Sequence, residues 1–330
     1  MEVRIEALIG GLVLPEAIHW DQDNQNLYFV DTNDRTIYRY TPSTKIYAKA
    51  VLGLNNVTVI IPIQSKRDKF LITHGNKLSV ITWDGRSDKI SGIETLTALD
   101  SPENGSYIWC DGKADPQGKF WAGAMIVGTR GGFAEKTGTL YNLEADRRIK
   151  RHFNSLTIPN GLTWNHVTKK FYFIDSPTRR IEEFDYDAQN SIITNRTRLF
   201  TFDDHDIPGA PDGMTIDTHG NLWVTCFGGG MVIKVDPTKR ECLLEQIRLP
   251  ADQVFKDHTL KSNFFNFNLL NALGQISSLA FGGRNMDELY IATAKIQFGP
   301  MPAPQGPENG AIYRITGLGV KGYPGTRVKL

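Results

Sequence analysis

The sequence has few cysteines, no long hydrophobic run and no excess of either charge. Cys110, Cys226 and Cys242 are odd in number and widely spaced, which excludes a disulfide framework and fits a reduced compartment, with the cytoplasm as the default expectation. No apolar segment approaches the roughly 18 residues that a membrane-spanning helix needs. The opening MEVRIEALIGGLVLPEAIHW breaks its apolar stretch with glycines and a proline and lacks a basic leader and a cleavage site, so no signal peptide is expected. The sequons at Asn56, Asn104 and Asn195 are then chance matches. Lys and Arg number 37 against 36 Asp and Glu, with no run of one sign. That excludes a nucleic-acid or membrane-surface partner and leaves a small molecule, bound by a monomer or weak oligomer.

Helical stripes are scarce, and a strand unit recurs instead. NQNLYFVD, RDKFLITH, QGKFWAGA, TKKFYFID, HGNLWVTC and MDELYIAT each place a bulky apolar pair after a polar turn. The pairs begin at Leu27, Phe70, Phe120, Phe171, Leu222 and Leu289, with spacings of 43, 50, 51, 51 and 67 residues. Further segments of period two, such as TIYRYTPST, RIEEFDYDAQ and MVIKVDPTK, lie between them. This is the period of four-stranded blades, so the expectation is all-β, a single six-bladed β-propeller over residues 1–330. An irregular pair of β-sandwiches is the alternative.

About ten residues before each apolar pair runs another strand, expected to be the innermost of its blade: PEAIHWD, IIPIQSK, IWCDGKAD, PNGLTWN, PDGMTID and ISSLAFGG. Glu16 and Asn160 lie 11 residues before their pairs, and Cys110 and Asp212 lie 10 before theirs. A common phase on separate innermost strands turns these side chains toward one axis. Two carboxylates and an amide oxygen are hard donors, suited to one divalent ion: Ca²⁺, or alternatively Mg²⁺, Mn²⁺ or Zn²⁺. The expected metal ligands are Glu16, Asn160 and Asp212, with Asp212 also placed to act as a general base in hydrolysis. Taken singly, each has a plainer reading. Asn160-Gly161 and Asp212-Gly213 resemble turn dipeptides, and Glu16 follows a proline. Cys110 could ligate, attack or only pack, with His19 and His74 as its conceivable activators.

CDGKADPQGKFWAGAM, IPNGLTW, FYFIDS, PDGMTIDTHGNLWV, AFGG and IYRITGLGVKGYPG together resemble the senescence marker protein (regucalcin), gluconolactonase and luciferin-regenerating enzyme family over nearly the whole chain. LYFVDT, ITWDG and the last of these segments are most similar to its insect luciferin-regenerating branch. The resemblance implies a six-bladed propeller with a central metal held by Glu16, Asn160 and Asp212, and lactonase-type hydrolysis of a small lactone or ester. A non-catalytic calcium- or small-ligand-binding propeller is its other implication. The family usually reads Arg-x-Asn before Asp111-Gly112-Lys113, where this chain has Ile108-Trp109-Cys110. Ile108 and Cys110 thus stand at the substrate-contact positions, and exchanging arginine for isoleucine removes a charge and five donors. The expected substrate is therefore less polar than a sugar lactone.

Two segments stand outside the repeat. The glycine-rich stretch at 128–136 could be a lid or a plain connection. Residues 254–275 account for the long last spacing and read as an aromatic insertion (Phe255, Phe264, Phe265, Phe267), either a flap over one propeller face or a translated intron.

Overall fold

The computed structural model describes residues 2–53, 55–100, 105–128, 132–249, 274–297, 303–304, 306 and 309–330. Residues 254–273 of the expected insertion and 129–131 of the expected lid lie outside these. Gln275, the last residue of the expected insertion, instead opens a strand. The described flanks of the glycine-rich stretch fold back on their own strand, Ala134 N–H donating to the Ile126 carbonyl.

Alternating β-branched and aromatic residues between short polar turns form antiparallel meanders. In the first sheet, Pro15–Asp21, Asn26–Asp31, Thr36–Thr41 and Ile46–Val51 pair in order. Its three turns each end on a residue with positive φ, Gln25, Arg35 and Lys45, a conformation that lets a four-residue loop reverse the chain. The second sheet runs from Val57–Pro62 to Gly92–Ala98, the third from Gly105–Ala114 to Ile149–Leu156, and the fourth from Pro159–Asn165 to Ile192–Thr201.

Among the described residues these four-stranded sheets are joined by one eight-stranded sheet. It consists of a meander from Ala210–Ile216 to Leu243–Arg248 and a second formed by Gln275–Gly282, Glu288–Ala294, Ala311–Thr316 and the N-terminal Arg4–Ile9. The two meanders meet through a single residue pair, Phe227 with Gln275. Six separate sheets were expected, and this pairing fuses the last two. The architecture is all-β and propeller-like. The first strands of the successive meanders touch in a closed cycle, Pro15–Asp21 meeting both Val57–Pro62 and Gln275–Gly282.

Burial follows distance from that cycle. Inner strands are almost wholly covered, while Ile46, Tyr47 and Val51 on an outermost strand are exposed. The apolar core lies between neighbouring sheets, where Trp20, Trp83, Trp109, Trp121 and Trp223 are fully buried. Two ties close the ring. Arg4–Ile9 pairs with Ala311–Thr316, so the two ends of the chain share one sheet. A C-terminal strap then crosses one end of the molecule. Thr218 N–H donates to the Lys321 carbonyl, Gly322 N–H to Met286, Gly325 N–H to Trp20, Val328 N–H to Pro62, and Lys329 N–H to Gly118. Tyr323 meets the His166 ring at 5.1 Å. Every meander is thereby touched by one nine-residue stretch, 321–329.

Candidate functional site at the centre of the strand ring

Each inner strand carries a register shift near its start. It falls between Glu16 and His19, between Trp109 and Gly112, between Pro159 and Leu162, and between Pro211 and Met214. Shorter shifts occur at Val57/Val59 and Ile276/Ser278. A bulge leaves residues out of the ladder and re-aims their side chains. Cys110, Asn160 and Asp212 sit inside these bulges, and Glu16 sits at the edge of its own. Asn160-Gly161 and Asp212-Gly213 are therefore not turn dipeptides but bulged strand positions.

The glycines in these pairs have a packing cause. A Cβ on Gly161 would lie 2.3 Å from the Asp212 carbonyl oxygen, and one on Gly213 would lie 2.7 Å from the Ser277 carbonyl oxygen. Neighbouring inner strands pass too closely at the bulges for any side chain. In the first strand Ala17 takes the place of glycine at φ 52°.

The backbone groups freed by the first bulge are held by the last inner strand. Ser277 Oγ donates to the Pro15 carbonyl at 2.6 Å, and Ile18 N–H donates to Ser278 Oγ at 3.1 Å. Glu16 is thus fixed from both sides. Two buried aspartates act further out. Asp31 accepts the amides of Val13 and Leu14 at 2.8 and 3.0 Å, and Asp175 accepts those of Thr157 and Ile158. Each clamps the chain two residues ahead of Glu16 or Asn160. Asn160 Nδ2 donates to Ser176 Oγ at 2.9 Å, which leaves its carbonyl oxygen free to accept or ligate.

The buried acidic groups feel one another's charge. Burial, then the charges of Asp212 and Asp111, push the Glu16 carboxyl well above the usual range. Asp212 is raised well above its ordinary value by burial and by Asp111. Asp111 is also raised by burial, against the pull of Lys113 and of the Gly112 N–H, 2.7 Å from its Oδ1. Burial drives the Cys110 thiol well up, reinforced by Asp111, Asp175, Asp212 and Glu16. A thiol so placed stays protonated and is a poor nucleophile. Its conceivable activators are engaged elsewhere: His74 bonds Ser79 Oγ at 2.9 Å, and His19 lines a cavity on the far side of the bulges. Ile108, two residues before Cys110 on the same strand, lies in the regular ladder opposite Met125 and is partly exposed.

Three carboxylates against one neighbouring ammonium make a buried site with unbalanced negative charge. Among the described residues no three His, Cys, Asp or Glu side chains come together as a metal-holding cluster, so neither Cys110 nor Asp111 completes a ligand set with Glu16 and Asp212. The expected set of Glu16, Asn160 and Asp212 offers two carboxylates and an amide, donors whose chemistry suits a hard divalent cation. Asp111, Lys113, Asp31, Asp175 and Ser176 were missed from sequence. Asp31 and Asp175 close the repeats LYFVD and FYFID, and that shared position was the signal available.

Residues 14–256 match the profile of the SMP-30/gluconolactonase/LRE-like region. Rabbit (Oryctolagus cuniculus) regucalcin is 32% identical over 323 residues, covering 94% of this chain and 95% of its own. Regucalcin of Xenopus laevis is 31% identical, covering 98% of each chain. Among solved structures, a luciferin-regenerating enzyme superposes with a TM-score of 0.87 at 38% identity, covering all of both chains. A gluconolactonase from Xanthomonas campestris shares the fold at a TM-score of 0.66 and 16% identity, over 95% of this chain and 89% of its own.

Proposed function

The chain belongs to the SMP-30/gluconolactonase/LRE-like family, and on that premise we propose that it is a six-bladed propeller acting as a metal-dependent lactonase on a small, weakly polar lactone or ester. The reading of six blades rests on the six meanders and the closed cycle of their first strands, with the fused pair counted as two. What supports the activity is that Glu16, Asp212 and Asp111, at inner-strand bulges, feel one another's charge, and that a further bulge carries an Asn160 amide held by Ser176.

Glu16, Asn160 and Asp212 would hold the ion. When bound, a divalent cation supplies Lewis acidity toward a carbonyl oxygen. The protein residues account for the remaining steps. The Asp212 carboxylate accepts a proton as water adds to the lactone carbonyl carbon. The ring C–O bond then breaks, and the proton passes to the departing ring oxygen, giving a hydroxy acid. Ser277, Ser278 and Asp31 keep Glu16 in place, while Asp175 and Ser176 do so for Asn160. Ile108 and Cys110 present an apolar, uncharged wall to substrate and so favour a ring with few hydroxyls.

Those two residues also support a second reading, a calcium- or ligand-binding propeller without catalysis, because no guanidinium or amide at 108 or 110 orients a substrate. A lactone panel assayed with Ca²⁺, Mn²⁺, Zn²⁺ or EDTA, beside Asp212→Ala, separates the two. Turnover of an apolar lactone that EDTA and Asp212→Ala abolish supports the enzyme. Bound metal with no turnover of any lactone supports the binding protein.

A further inference from the structure

Beyond the bulges, the same inner strands open into a cavity of about 540 Å³ at the end of the ring crossed by the strap. Of the expected metal and substrate residues none lines it, while Asp111 and Lys113 join it to the carboxylate site. Pockets of this size, largely apolar with a few convergent polar groups, hold small organic molecules. We propose that this cavity is a second binding site, for a flat, uncharged aromatic molecule carrying a hydrogen-bond acceptor.

Charge sets the first part of that class. Asp111 and Lys113 are the charged side chains of the lining, and each offsets the other. Lys113 is further occupied by the Met214 carbonyl, to which its ammonium donates. The cavity therefore presents no net charge to a ligand. Shape and donors set the rest. Trp164 forms part of the wall, and Tyr323, in edge contact with His166, forms an exposed aromatic rim. Aromatic surfaces of this kind favour stacking with a planar ring. The buried Trp164 Nε1 and His19 Nε2 have no hydrogen-bond partner in the structure. Such groups cost free energy until they meet a partner, and for the indole N–H that partner is an acceptor. Thr163 and Thr215 add hydroxyls from two further positions around the ring. The strap supplies the roof: Tyr323, Pro324, Gly325 and Thr326 lie over the opening, anchored by Arg327 to Asp21 at 2.6 Å.

The test is a fluorescence titration of the intact protein with prodan, a flat uncharged naphthyl ketone whose emission moves to the blue in apolar surroundings. The expected result is saturable, blue-shifted binding that EDTA and Asp212→Asn leave unchanged. Ala280→Phe, which places a ring in the cavity, should weaken binding by at least about tenfold. Trp164→Phe, which removes the N–H donor together with part of the aromatic wall, should weaken it at least about fivefold. Should Ala280→Phe fail to fold, Thr215→Val beside Trp164→Phe serves instead. Absence of saturation, wild-type affinity in both cavity variants, loss of binding in Asp212→Asn, or tighter binding of the naphthoate anion would each overturn the proposal. Because the titration needs neither metal nor turnover, failure of the lactonase reading leaves it unaffected.

Discussion

At the scale of single residues, the site is defined by which groups the fold leaves charged or uncharged. His19 shows this most directly. Burial, with Arg327 and Lys113 nearby and only Asp21 opposing, lowers its pKa from 6.5 to about 4. The folded state thus resists a proton that the unfolded chain takes up near 6.5. Stability from this residue is complete above that pH and is lost as pH falls toward 4, on the order of 3 kcal/mol. Denaturant unfolding at pH 7.5, 5.5 and 4.5 should show that decline, and His19→Gln should lessen it, leaving the share of His152, whose pKa burial likewise lowers to about 4. Ser176 offers a second test. Its hydroxyl fixes the Asn160 amide, so Ser176→Ala should weaken divalent-metal affinity about tenfold while leaving the melting temperature nearly unchanged. Calorimetric titration with Ca²⁺ or Mn²⁺ checks both halves of that statement. Cys110, by contrast, is a thiol kept neutral by burial and four carboxylates, which agrees with a packing role.

At the scale of elements, the bulge is the device that makes a strand into a site. A regular ladder would turn Asn160 and Gly161 alternately to opposite faces, whereas the bulge frees both and lets adjacent inner strands close to van der Waals distance. Gly161→Ala should therefore be severely disruptive, costing about 3 kcal/mol or more, because its methyl would meet the Asp212 backbone at 2.3 Å. Thermal unfolding of this variant beside Gly128→Ala, where nothing lies within 4 Å, separates steric from generic effects. The inner strands and the phase of Glu16, Asn160 and Asp212 were legible in the sequence, because period-two alternation and the apolar pairs repeat. The bulges were not, since Pro-Asn-Gly and Pro-Asp-Gly have the composition of turns and only inter-strand register distinguishes the two. Asp111 and Lys113 escaped for a related reason: the effect of Asp111 on Glu16 and Asp212, and the bond of Lys113 to the Met214 carbonyl, run between different sheets.

At the scale of the whole molecule, closure governs. The ring is tied by Arg4–Ile9 on Ala311–Thr316 and by the strap over the opposite end of the channel. Neither tie has a local sequence signature, and the fusion of the last two meanders rests on one pair, Phe227 with Gln275. Ending the chain at Gly319 would remove six backbone hydrogen bonds between the strap and the meanders and should cost on the order of 6 kcal/mol, read as a lowered midpoint in urea. Among the described residues no helix is long and apolar enough to cross a membrane, and the fold depends throughout on sheet-to-sheet packing.

The central claim is that buried carboxylates and an amide, brought to one axis by repeated bulges, hold a cation. Metal content and calorimetric titration of the purified protein and of Asp212→Asn test it most directly. The expected result is about one divalent ion per chain in the wild-type protein and at least a hundredfold loss of affinity in the variant. Wild-type protein that binds no divalent ion, or an Asp212→Asn variant that binds it equally well, would contradict it.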